Sequence, residues 1–214
     1  MMRTRLAAAT LCLGAFMLFF SGAKALAAAS EARAALEHTI NQVLVELKKP
    51  ELKNPATRDA VLARVENIVR GLFSFEELSM RTVGMGWKNF SADQKKRFID
   101  AFEDLLRERY LSSLEGYSGE SVTYTGEVAS SKGDKVEIQT TVNFKDKPAL
   151  VAYRMLKKDR WMVYDVIIEG VSMVQNYRTQ FQGLLEKGDA EGLIRAVRGK
   201  ADETRNTKNK EGQG

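Results

Sequence analysis

Two periods divide the chain. Apolar residues recur at three- and four-residue steps in its first half, which is the signature of helices with one buried face. Over residues 30–49 that face carries Leu36, Ile40, Val43, Leu44 and Leu47, and Pro50 ends it. Asn54 followed by Pro55 predicts a second helix start, with Val61, Leu62, Val65, Ile68, Val69 and Leu72 inward. Ser74 with Glu77 and Ser91 with Gln94 have the spacing of capping boxes. The first predicts a short helix through Leu78, stopped by Gly84-Met85-Gly86. The second predicts a long helix to about Glu115, with Phe98, Phe102, Leu105, Leu106 and Tyr110 inward.

The period then changes to two. Residues 121–128 predict a weak strand, and Val136, Ile138, Thr140, Val142 and Phe144 alternate with polar neighbours as in a half-buried one. Further strands are predicted at 150–156 and 161–168, joined through Asp146-Lys147-Pro148 and Lys158-Asp159-Arg160. Such short connections imply an antiparallel meander. On the last strand, Met162, Tyr164, Val166 and Ile168 are predicted to look toward the helices. Gly170 breaks it, and Ser172 with Gln175 predicts a third box opening a helix through Val174, Arg178 and Phe181. A last helix is predicted over 190–197, then a disordered polar tail over 200–214. The fold class is therefore α+β: a four-stranded antiparallel meander with helices on one face. The strand, glycine and helix start over 161–181 suit one end of an apolar cavity, and equally an ordinary core corner.

The first residues change the reading of charge and compartment. Arg3 and Arg5 precede an apolar run over 6–20, and Ala25-Leu26-Ala27 offers an A-x-A cleavage site, so residues 1–27 read as a secretory signal peptide ahead of a single domain at 28–199. The formal net charge of +5 owes three charges to Arg3, Arg5 and Lys24, so it does not argue for nucleic acid. The single cysteine, Cys12, lies in the same segment, which excludes disulfide or thiol chemistry from the rest.

The sequence offers little catalytic chemistry. His38 is the only histidine and sits on the first helix, so neither a Ser-His or Cys-His pair nor a zinc set can be assembled. Asp165 and Glu169 are a candidate acid–base pair, against the alternative that Asp165 pairs with Arg154 while Glu169 is exposed. Met80, Met85, Met155, Met162 and Met173 suit either an irregular core or a promiscuous apolar site. The predicted helix start at Ser172, with Arg81 and Arg178, is a candidate anion site, against simple capping. Weak head-group selectivity follows for any lipid held there.

The stretch VGMGWKNFSADQKKRFIDAFEDLLRERY, residues 83–110, resembles the mid-chain block of the MlaC, or toluene-tolerance, family, and YDVIIEGVSMVQNYRTQF, residues 164–181, resembles its closing block. The order of helices, meander and closing block is similar over nearly all of the chain after the signal. The resemblance implies a periplasmic carrier, without enzymatic activity or cofactor, that holds glycerophospholipid acyl chains between sheet and helices. It also implies partners, an inner-membrane ABC-type complex and an outer-membrane lipoprotein–porin complex, and a role in outer-membrane lipid asymmetry. On that reading the acyl chains are expected against Val142, Phe144, Met155, Val166, Ile168, Val171 and Val174, with Leu78, Trp87, Phe102 and Leu106 opposite and Gly170 as the hinge. The alternatives are a small periplasmic α+β enzyme and a chaperone for hydrophobic solutes or lipoproteins.

Overall fold

Each change of period becomes a change of element. A computed structural model describes residues 11–143, 147–186 and 189–211. Helices α1 (Leu11–Leu47), α2 (Pro55–Leu72), α3 (Phe75–Val83) and α4 (Ala92–Tyr110) come first. Strands β1 (Ser121–Ala129), β2 (Lys135–Asn143), β3 (Pro148–Lys157), β4 (Trp161–Ile168) and β5 (Val171–Ser172) follow, then α5 (Met173–Leu185) and α6 (Ala190–Glu211). Short 3₁₀ turns cover Pro50–Lys53, Gly84–Asn89 and Leu111–Gly116. Among the described residues no helix is long and apolar enough to cross a membrane.

The sheet is an antiparallel meander in the order β1-β2-β3-β4-β5. It has five strands rather than the four predicted, because the chain folds back beyond Ile168 to pair Ile168 with Val171 and Ile167 with Ser172. The loop between them is Glu169-Gly170, with φ of 49° and 79°. Two successive positive φ values are what a two-residue type I′ hairpin turn requires, and glycine meets that demand without steric cost. Beside β4, Phe73 makes a parallel bridge to Val163, and the Ser74 N–H donates to the Val163 carbonyl at 2.8 Å.

A bulge in β4 corrects the predicted facing. Arg154 pairs with Asp165 and Met155 with Val163, so Tyr164 is the extra residue. Trp161 and Val163 before it, and Val166 after it, therefore face the same way, into a core with Met155, Ile138, Val136 and the α1 residues Ala28, Ala29, Ala32 and Leu36. Met162 and Tyr164 do not belong to that core; Tyr164 lies beneath the Arg81 guanidinium, 4.1 Å from its ring centre.

Helix starts follow their caps. Asn54 Oδ1 accepts from the Ala56 N–H at 3.0 Å, ahead of Pro55 at the first turn. Ser74, Ser91 and Ser172 each accept from the N–H three residues on. Among the described residues the reciprocal half of the box forms at Ser91/Gln94, with Gln94 Oε1 accepting from the Ser91 N–H. Glu77 instead turns to Arg81 and Lys158. The segment from Lys200, predicted as a disordered tail, continues α6 to Glu211. Ala201 is buried on the helical core, and Arg205 reaches Glu108 at 3.0 Å.

Candidate functional site

A cavity forms where α1 leaves the sheet. In its earlier part, small residues let the helix lie close: Ala28, Ala29 and Ala32 are buried against the inner sheet face. Ion pairs pin this part, Arg33 to Glu127 at 2.8 Å and Lys157 to Glu31. Beyond Leu36 the apolar face continues, but its partner changes. Leu47 packs with Leu52, Val61, Leu62 and Val65 of the following turn and α2, not with strands. The gap holds a cavity of about 430 Å³. That lies within the ~300–1,000 Å³ usual for small-molecule sites.

Its walls come from four places. α1 supplies Leu36, Thr39, Ile40, Val43, Leu44 and Leu47. The end of α2 supplies Val69 and Leu72, with Phe73 just beyond. The connection from α4 to β1 supplies Leu114, Gly116, Tyr117 and Glu120, and the sheet supplies Val122, Val142 and Tyr153. Val122 and Val142 are direct cross-strand partners, so they present one apolar row.

Few polar atoms interrupt this lining. The Thr39 hydroxyl donates to the Ala35 carbonyl at 3.1 Å. The Tyr117 hydroxyl donates to the Glu120 carbonyl at 3.3 Å. Burial pushes the Tyr153 phenol up to about 12, against a smaller opposing effect from its hydrogen bond with Thr140. Tyr124, one row in from Val122 on the same face, keeps a buried hydroxyl with no partner among the described residues, and burial raises its pKa. The half-exposed Glu120 carboxylate accepts from the Ser118 N–H at 2.9 Å and the Ser118 hydroxyl at 2.8 Å. Desolvation raises its pKa, but those hydrogen bonds outweigh this and hold it below the ordinary carboxylate value. It is therefore ionised at neutral pH. Among the described residues no group of histidine, cysteine, aspartate and glutamate side chains is placed to hold a metal ion.

The residues singled out from the sequence fall in several places. Val142 lines the cavity. Met155 and Val166 are buried in the core beneath α1. Leu78, Trp87, Phe102, Leu106 and Val174 pack together in a separate core between α3, α4, α5 and α6. Ile168 and Val171 oppose one another at the hairpin and are exposed. Gly170 is the second residue of that hairpin's turn, and Phe144 lies outside the described residues. The α1 residues from Ile40 to Leu47, whose apolar face the sequence already displayed, line the cavity instead.

Asp165 and Glu169 hold the backbone rather than each other. Asp165 is buried and accepts from the Ser172 hydroxyl at 2.7 Å, the Val174 N–H at 3.0 Å and Arg154 at 3.3 Å. Glu169 accepts from the Leu150 N–H at 2.7 Å. At the start of α5 the Val174 N–H is thus taken by Asp165 and the Gln175 N–H by Ser172 Oγ, which is the capping arrangement. Arg178 donates to the Arg81 carbonyl at 2.8 Å, and Arg81 pairs with Glu77 at 3.1 Å. His38 is exposed, as expected of a surface residue on α1.

An antiparallel sheet with helices on one face thus opens into an apolar cavity whose lining includes, among the described residues, one charged residue, Glu120. A family model described as "MlaC protein" matches residues 37–199, and the chain belongs to that family. A relative from Haemophilus influenzae, the intermembrane phospholipid transport system binding protein MlaC, is 27% identical over 137 residues. The match covers 61% of this chain and 63% of that relative. The solved structure of a phospholipid-binding protein from Ralstonia solanacearum, in complex with a phospholipid, has a TM-score of 0.74 at 24% identity. It covers 82% of this chain and 99% of that one, and shows the same fold.

Proposed function

We propose that this protein carries glycerophospholipid, with an acyl chain sheathed in the cavity beneath α1 and the head group at the Tyr117–Glu120 rim. The observation that carries the proposal is the cavity itself: about 430 Å³ walled mainly by apolar side chains where α1 leaves the sheet. An apolar cavity of ~150 Å³ holds one benzene, so this one suits roughly a single long acyl chain. A second chain needs the later half of α1, which packs on α2 rather than on the sheet, to move outward. The energetic demand is large. A diacyl lipid exposes on the order of 30 methylenes at ~0.8 kcal/mol each, so free passage through water is slow. A sheath of aliphatic side chains removes that barrier without any catalytic group.

On this reading, residues 1–27 direct export to the periplasm and are removed, leaving Ala28 and Ala29 to seal the α1–sheet contact. The protein then moves lipid between an inner-membrane ABC-type complex and an outer-membrane lipoprotein–porin complex, which maintains outer-membrane lipid asymmetry. Support comes from family membership and from the relative named for intermembrane phospholipid transport. The test is organic extraction and mass spectrometry of protein exported with its own leader and purified without detergent. Near-stoichiometric phospholipid is expected; recovery of none overturns the proposal.

A further inference from the structure

The cavity lining carries charge at one place among the described residues. Glu120 is a carboxylate, and neither lysine nor arginine contributes to the walls. For a site that takes a phosphodiester head group this is the unexpected sign, since the phosphate of every such lipid is itself negative. The carboxylate is also held in place, by the Ser118 N–H at 2.9 Å and the Ser118 hydroxyl at 2.8 Å. Among the described residues it pairs with no lysine or arginine. Tyr117, on the same rim, contributes an aromatic ring, the kind of side chain that attracts ammonium groups.

We propose that Glu120 sorts phospholipids by head group, favouring those whose head group bears an ammonium over those whose only charge is the phosphate. This rests on the lipid reading above. The apolar walls cannot supply such a preference, because lipids of different head group share the same acyl chains. At the rim the difference is electrostatic. A head group that is only anionic brings its phosphate toward a fixed carboxylate with nothing between them, and like charges at close range repel. A zwitterionic head group places an ammonium a few bonds from its phosphate, where it can lie between the two anions. The half-exposed site makes the effect modest and salt-dependent. The selectivity is thus stronger than the sequence alone implies, and it resides at the cavity rim rather than at the start of α5.

The experiment exposes the purified protein, at low ionic strength, to vesicles holding equal amounts of phosphatidylethanolamine and phosphatidylglycerol with identical acyl chains. The protein is recovered, extracted and analysed by mass spectrometry. Wild type is expected to carry phosphatidylethanolamine in about three-fold excess over the vesicle ratio, the size that one partly exposed ion pair supports. Glu120→Gln, which keeps the shape of the rim, should return to the vesicle ratio, and Glu120→Lys should favour phosphatidylglycerol. Circular dichroism verifies that both variants keep the wild-type fold. Lipid recovered from wild type at the vesicle ratio, or a bias unchanged in both variants, overturns the sorting role while leaving the carrier reading intact. Recovery of no lipid from any of the three overturns both.

Discussion

Two of the apolar interiors among the described residues reach opposite ends, one filled and one left open. Between α4 and α5, Phe98, Phe102, Tyr177 and Phe181 form a closed aromatic group. Ring centres stand 4.9 Å apart for Phe102–Tyr177, 5.2 Å for Phe102–Phe181 and 5.5 Å for Phe98–Phe181. All three phenylalanines are fully buried, and the edge-on geometry is the one that ring quadrupoles favour. Between α1, α2 and the end of the sheet, aliphatic side chains face a gap of about 430 Å³. The difference is not hydrophobicity. Rings fill the space between adjacent helices, whereas α1 diverges from the sheet and its leucines and valines do not reach across. A filled interior contributes stability; an unfilled one forgoes dispersion contacts and keeps room for a ligand.

Matched substitutions test that contrast. Phe102→Ala should cost about 3–5 kcal/mol in urea denaturation, since it removes a ring that three others contact. Val43→Trp enlarges a side chain on the cavity wall. In a packed core such a change costs roughly 1–3 kcal/mol. Here, measured on delipidated protein, it should cost less than about 1 kcal/mol while phospholipid recovery falls several-fold. Delipidation matters because bound ligand itself adds stability. A Val43→Trp penalty of core size would mean that the gap is not usable space.

Asp165 joins the sheet to the helical core. Through it, β4 of the sheet takes the first turn of α5, with the Val174 N–H and the Ser172 hydroxyl as donors and Arg154 alongside. Asp165→Asn exchanges an acceptor-only group for one that must point two N–H donors at neighbours that are mainly donors themselves. A loss of about 2–3 kcal/mol is expected. Lipid recovered per folded molecule should be unchanged. Loss of lipid at full stability would place Asp165 at the ligand instead.

Much of this was legible from residue types. The Ser91-to-Gln94 spacing marked the start of α4, and the alternation from Val136 to Val142 marked β2 with its buried face. The facing of β4 was not legible past Tyr164, because a bulge leaves no trace in a run that is apolar on both sides of it. The helical continuation after Lys200 was hidden for a related reason: its polar composition is balanced by one buried alanine and by the Arg205–Glu108 ion pair to α4, distant in sequence. The cavity is the hardest case. Ile40, Val43 and Leu44 line a gap while Leu47, a turn on and also on the lining, packs against α2. Core wall and cavity wall share one alphabet, and the distance to the facing element separates them.

Acid titration gives the smallest and most local effect. Glu191 at the start of α6 accepts from Arg97 Nη1 at 2.8 Å and from Gln94 Nε2 at 3.0 Å, clamping α6 to the start of α4. The Arg97 hydrogen bond, followed by that of Gln94, lowers its pKa from 4.5 to about 2. A carboxylate with a depressed folded-state pKa stabilises fully above its unfolded value, and that stabilisation fades as pH falls toward the folded value. Wild-type Tm should therefore decline between about pH 4.5 and pH 2. Glu31, Glu46 and Glu108 are shifted the same way and add to that decline, so the Glu191 share is read as a difference. Glu191→Gln should start slightly lower at pH 7, fall less steeply and meet the wild-type curve near pH 2. Because the clamp lies on the helical side, lipid recovery at pH 7 should be the same in both proteins. A Glu191→Gln variant that kept its stability yet lost lipid would show that the two interiors are coupled through α4 and α6.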